Sequence, residues 1–157
     1  MFNRDVFFGE LTEGDSMDPL HREIANTIFD EWEANRPFDA RWLAYIMATA
    51  LDDHGRCDTP DIETGCDNLI TGMIEGWYTG RRLSEYFTPE FGAWLPARAI
   101  VDPDLGDAES VAADAKDIYR ALNAASDTAL PPVPVELSEL PVPPDPEPPA
   151  PEPEPEV

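Results

Sequence analysis

From Pro131 to Val157 the chain carries twelve prolines, seven acids and no base, and this run decides how much of the sequence can build a core. Proline fixes φ and has no backbone N–H, so one at every second or third position forbids helices and sheet ladders alike. Repulsion between the carboxylates opposes collapse as well. The segment reads as a disordered, solvated polyproline II spacer, about 80 Å long if fully extended at ~3.1 Å per residue. It can serve as a tether, as a ligand for proline-recognising grooves, or as a solubilising tail. With the boundary between 128 and 129, residues 1–128 hold the whole core, which suits one domain and leaves no room for a second.

Charge narrows the function classes. The chain has 33 acids against ten bases, a formal charge of −23, which argues against direct binding of nucleic-acid phosphates. The same field suits a solvated acidic surface, or attraction of a basic partner, including a decoy role towards a DNA-binding protein. No run of about 18 apolar residues is present, so no membrane-spanning helix is expected. The opening MFNRDVFFGELTEGD has one arginine and four acids, unlike the basic-then-apolar start of a signal peptide.

Periodicity points to a mainly α domain. Only Val6-Phe7-Phe8 hints at a strand. Asp18-Pro19 is a capping residue followed by proline at the first helical position, and Leu20, Ile24, Ile28 and Trp32 then recur every four residues, predicting a helix to about Ala34. Asp39 can cap a second helix, with Trp42, Ile46, Thr49 and Asp53 on one face and Leu43, Met47, Ala50 and His54 on its neighbour. Cys57 to Asp67 reads as a loop. A third helix is expected from Asn68 to Tyr78, with Ile70, Met73, Ile74 and Trp77 inward and Gly80 as terminator. A short helix fits Arg81 to Phe87, stopped near Pro89. Phe91 to Leu105 has no clear pattern. A last helix follows Asp107, its stripe formed by Val111, Ala115, Ile118, Tyr119 and Leu122, and closes near Asn123.

Several residue groups could carry chemistry. Cys57 and Cys66, separated by eight residues, are a candidate disulfide or two buried thiols. His54, Cys57 and Cys66, with Asp53 or His21, are considered as zinc ligands, but the spacing matches no common zinc pattern. Asp58, Asp61, Glu63 and Asp67 lack the ligand order of a helix-loop-helix calcium site. No metal and no cofactor is therefore expected. Carboxylates beside aromatic residues suggest sugar chemistry, in which one carboxyl protonates the leaving oxygen and a second activates water or attacks. Asp52 and Asp53 at the end of the second helix, Glu63 beyond it, and Glu75 and Glu85 in or beside aromatic helices are the acids considered.

The stretch DARWLAYIMATALDDHGRCDTPDIE resembles the core helix and following loop of phage-type endolysins and chitinases of the glycoside hydrolase family 19 kind. That family's helix reads Ala-Tyr-Xaa-Xaa-Ala-Thr-Ala and runs into His-Glu-Thr, which carries the general acid. Ala44, Tyr45, Ala48, Thr49, Ala50, Arg56, Pro60 and Glu63 fall in step with it. GMIEGWYTGRRLSEYF, from Gly72 to Phe87, resembles the family's later Gly-Xaa-Xaa-Glu-Gly-Trp-Phe-Thr-Gly helix and turn, and VFFGEL and IFDEWEAN resemble its first helices. The resemblance covers roughly Val6 to Leu122. It implies a single lysozyme-like helical domain, with Asp53, Glu63 and Glu75 at the catalytic positions and Tyr45, Arg56, Trp77 and Tyr78 at binding positions.

The departures from that pattern shape the functional expectation. Asp52-Asp53-His54 stands in place of His-Glu-Thr, so the general acid position holds a side chain one methylene shorter, and an ångström of misplacement costs on the order of a hundredfold in rate. The glycine-rich wall between the two motifs is missing, since eight residues separate Glu63 from Gly72. The chain is thus expected to lack the β-rich cleft lobe and to be a non-catalytic module of a phage particle or at a cell wall. Its expected partners are peptidoglycan or another glycan, and a protein met through the tail or the acidic surface. The alternatives are a weakly active peptidoglycan or chitin glycosidase with Asp53 as general acid, and the acidic decoy. The sequence leaves the localisation unknown; the virion and the host cytoplasm are the compartments that the resemblance brings into consideration.

Overall fold

The computed structural model describes residues 2–12, 18–35, 39–52, 61–88 and 92–126. They form α1 (Arg4–Thr12), α2 (Pro19–Asn35), α3 (Ala40–Asp52), α4 (Ile62–Glu75), α5 (Leu83–Tyr86), a 3₁₀ helix (Pro96–Ile100) and α6 (Ala108–Ala125). Among the described residues there is no strand, only the isolated bridges Phe2–Ser126 and Phe87–Gly92. The mainly α expectation holds; the tail lies outside the described residues.

The hub is α3. Every residue from Leu43 to Ala50 is buried, which marks a helix enclosed on all sides rather than one lying on a surface. It packs against α6, α2 and α4. Arg41 locks its start. The guanidinium pairs with the Asp39 carboxylate and Nη2 donates to the Thr88 carbonyl at 2.6 Å, while the Trp42 indole donates to the Phe87 carbonyl at 3.3 Å. Aromatic rings then carry the core inward, from Tyr45 to Phe87 (5.6 Å between centroids), Phe87 to Trp94 (5.0 Å) and Trp94 to Tyr119 (5.8 Å).

The opening segment is helical, not extended. Asn3 caps it, its side-chain oxygen accepting from the amides of Asp5 and Val6, and Phe7, Phe8 and Leu11 then share the inner face at helical spacing. Arg4 ties α1 to α2 through Asp30 at 2.6 Å and Glu33 at 3.2 Å. The predicted start of α2 is found, with the Asp18 carboxylate accepting from the Leu20 amide.

The third predicted helix lies earlier than its pattern suggested. Asp61 is its N-cap, accepting from Thr64 N at 2.9 Å, so residues 62–67, expected in a loop, form its first turns. It ends at Gly76, whose φ of +80° opens a turn that also contains Gly80 at φ +84°. Both glycines adopt the left-handed conformation, but the first of them stops the helix. As a result Trp77 is not inward: it is 58% exposed. Asp107 precedes α6 as expected, yet it sits at φ +59° and its side chain makes no capping bond.

Candidate functional site

Two places gather the residues singled out by sequence. The first is the C-terminal half of α3. Tyr45 is fully buried, and its hydroxyl has no hydrogen-bond partner among the described residues. Burial pushes its phenol well above the ordinary range, with Arg98 pulling in the opposite direction and Tyr86 and Asp52 adding to the rise. Tyr45 is thus a core residue and offers no face to a glycan. At the helix end Asp52, its side chain 24% exposed, meets Arg98 Nη2 at 3.6 Å. Arg98 is itself buried, and its Nε donates to the Gly106 carbonyl at 2.7 Å. One guanidinium therefore joins the end of α3, the 3₁₀ helix and the approach to α6. Its Nη1 has no partner among the described residues.

Asp53, His54, Arg56, Cys57 and Asp58 lie outside the described residues. Cys66 is a free thiol, buried on α4 with Sγ 4.0 Å from the Ile24 carbonyl oxygen. His21 lies half-buried on α2 and Asp67 half-buried on α4. Asp61 is occupied in capping α4. Among the described residues no group of three or more histidine, cysteine or acidic side chains is placed to hold a metal ion.

Glu63 and Glu75 stand at opposite ends of α4, about 18 Å apart along the axis at ~1.5 Å per residue. They cannot both flank one glycosidic bond, which needs carboxyls roughly 5–9.5 Å apart. Glu63 is exposed and lines an open depression of about 730 Å³ with Glu23, Thr27, Asp61 and Ile62. A separate hollow of about 200 Å³, between α1, α3 and α6, is lined by Leu11, Ala48, Leu51, Asp114, Asp117 and Ile118. Burial, Asp117 and Asp52, in that order, raise the Asp114 carboxyl above its usual range.

The second place is the turn after α4, where Glu75, Trp77 and Tyr78 do come together. The amides of Gly76 and Trp77 both donate to the Gly72 carbonyl at 2.9 Å. The Trp77 indole N–H then donates to Glu75 Oε2 at 2.8 Å. Tyr78 folds back over Gly72: a Cβ there would lie 2.8 Å from the Tyr78 ring, so a side chain at that position would push the ring outward. Thr79 pins the turn to the 3₁₀ helix, its hydroxyl donating to the carbonyl of Ala99 at 2.6 Å, with that of Ile100 at 3.0 Å. The stem of Arg82 lies over Gly76, where a Cβ would meet its Cγ at 3.1 Å. The outcome is a fixed turn that presents an exposed indole hydrogen-bonded to a carboxylate, with the Tyr78 ring packed back on α4 and its edge in solvent, and with the Arg82 stem on Gly76.

Arg98 escaped the sequence reading. It falls in the unpatterned stretch 91–105, where the only signal was a lone arginine inside the apolar run Ala97 to Val101. Trp94, which sequence alone leaves between an exposed interface residue and a core aromatic, is 1% exposed and belongs to the core. In comparisons with known protein families, curated proteins and solved structures, the chain matches none.

Proposed function

We propose that this chain is a non-catalytic, wall-hydrolase-like helical module of the lysozyme type that binds a peptidoglycan or chitin-like glycan through the Glu75–Tyr78 turn. The supporting observation is the Glu75–Trp77 hydrogen bond, which holds a largely exposed indole in one orientation. A sugar ring has an apolar C–H face that stacks on such a ring and hydroxyls at its edge, which an accessible carboxylate can accept from. The same bond bears on catalysis. A general acid sits against an apolar wall, whereas Glu75 is exposed and accepts from the indole N–H. The resemblance supplies the glycan class, and the mainly helical framework supplies the scaffold that carries the turn.

Co-sedimentation with insoluble peptidoglycan and chitin tests the reading. Binding without clearing of a peptidoglycan gel is expected, and Trp77→Ala should weaken it about thirtyfold, since re-burying some 80 Å² of indole is worth ~2 kcal/mol. Binding that survives Trp77→Ala would remove this surface from the account. Clearing that disappears in Asp53→Asn would replace it with the hydrolase reading.

A further inference from the structure

We propose that the acidic proline segment of this chain, residues 131–157, docks on its own Trp77–Arg82 turn. Trp77 and Tyr78, 58% and 38% exposed, are adjacent aromatic residues among the few large exposed hydrophobics of the described chain; the others, Val6 and Leu105, are single aliphatics. The charge around them differs from the rest of the molecule. Residues 68–88 contain two acids and two bases, in a chain with 33 acids and ten bases. Arg4, Arg41 and Arg98 are each committed to acids of the folded domain, while Arg120 pairs with Asp117 within α6 at the surface. Among the described residues the ion pair of Arg81 is with Glu85, at 3.3 Å with both side chains well exposed. The guanidinium of Arg82 has no ion pair among the described residues.

The tail carries the complementary pattern. A polyproline II helix has three residues per turn, so positions three apart share one face. In the sequence Pro146, Pro149 and Glu152 stand three apart, as do Pro148, Pro151 and Glu154, so each set would share a face of such a helix as one row. Each row offers two proline rings and then a carboxylate, the order needed to lie across two aromatic rings and reach an arginine. Recognition of proline helices by exposed aromatic residues works in this way, with little ordering cost because the ligand is already stiff. The receiving turn is stiff too, held by the Glu75–Trp77 bond and the Thr79 anchor.

Reach does not limit the contact. A folded unit of 126 residues has a radius of gyration of about 14 Å, whereas the tail spans about 80 Å when extended. Tethering gives an effective concentration on the order of millimolar, so even a weak docking site is occupied. This proposal does not rest on glycan binding; a glycan that used the same rings would have to displace the tail.

The test uses the full-length chain labelled with ¹⁵N, in which each tryptophan gives one indole N–H resonance and Trp77→Ala assigns its peak. Reversing the tail charges with Glu152→Arg and Glu154→Arg should move the Trp77 resonance while leaving those of the buried Trp32 and Trp94 in place, which also reports an intact core. Arg81→Glu with Arg82→Glu should move it similarly, and combining both sets should bring it back towards the original position. Raising salt from about 20 to 500 mM should reproduce the shift. A Trp77 peak indifferent to the tail reversal overturns the proposal. So does a shift that grows with protein concentration, which would mean that the tail reaches another copy.

Discussion

Replacing Tyr45 by phenylalanine should stabilise this protein, by about 1 kcal/mol. The hydroxyl sits in a fully buried position with no hydrogen-bond partner among the described residues, so folding removes its water without replacement, at a cost of ~1–3 kcal/mol. Phenylalanine keeps the ring and its packing on Phe87 at 5.6 Å. The space vacated by one oxygen loses a few dispersion contacts of ~0.1–0.2 kcal/mol each, which offsets part of the gain. In urea unfolding at pH 7 the midpoint should rise with no change in slope. Alkaline pH gives a second signature. Burial raises the phenol in the folded state, while the unfolded phenol titrates near 10. As pH climbs past 10 the unfolded chain releases a proton that the folded chain retains, so stability falls by up to ~1.4 kcal/mol per pH unit. That component should vanish in the variant. A loss of 1 kcal/mol or more at pH 7 would refute the reasoning, because it would mean that the hydroxyl is bonded in solution.

Other positions give equally definite outcomes. Arg98→Ala should cost about 3 kcal/mol, since it leaves the Gly106 carbonyl and Asp52 without their partner; Asp52→Asn, at the more exposed end of that pair, should cost less than ~1 kcal/mol, and equal urea midpoints for the two would contradict this ranking. Gly76→Ala should cost about 2 kcal/mol, from its φ of +80° and from a Cβ only 3.1 Å from the Gly80 carbonyl. Gly9→Ala, in α1 where a Cβ meets nothing within 4 Å, should instead gain ~0.5–1 kcal/mol; thermal melts of the two variants check the opposite signs. Asp114 keeps its proton more readily folded than unfolded because of burial, Asp117 and Asp52, so its ionisation lowers stability as pH rises through the folded value. Asp114→Asn should therefore gain a few tenths of a kcal/mol at neutral pH and lose that advantage in acid below the carboxylate range, as urea midpoints at the two pH values would show.

Where a helix advertises its own ends, the sequence read correctly. Asp18-Pro19 marks the start of α2, Asp39 that of α3, and the stripe from Val111 to Leu122 identifies α6, because capping and burial leave local traces. The start of α4 was hidden because Asp61 is one of several acids in a polar stretch, and no local rule says which of them caps. Its end was misplaced because Gly76 and Gly80 both suit a left-handed residue, and only tertiary packing decides between them. That four-residue difference turns Trp77 from a core residue into a surface one. Val6-Phe7-Phe8 read as extended because adjacent aromatics fit either period; the Asn3 cap and the Arg4 clamp settle it as helix. The role of Arg98 depends on three segments meeting in space, which no window of the sequence contains.

The bridge between Phe2 and Ser126, with the Asn3 amide donating to the Ala125 carbonyl at 2.8 Å, brings both ends of the folded unit to one spot. A unit closed in this way can be grafted into a surface loop of a host protein, or circularly permuted through a short joint, with little distortion of its interior. It also means that whatever is fused to either end leaves the folded unit from the same spot.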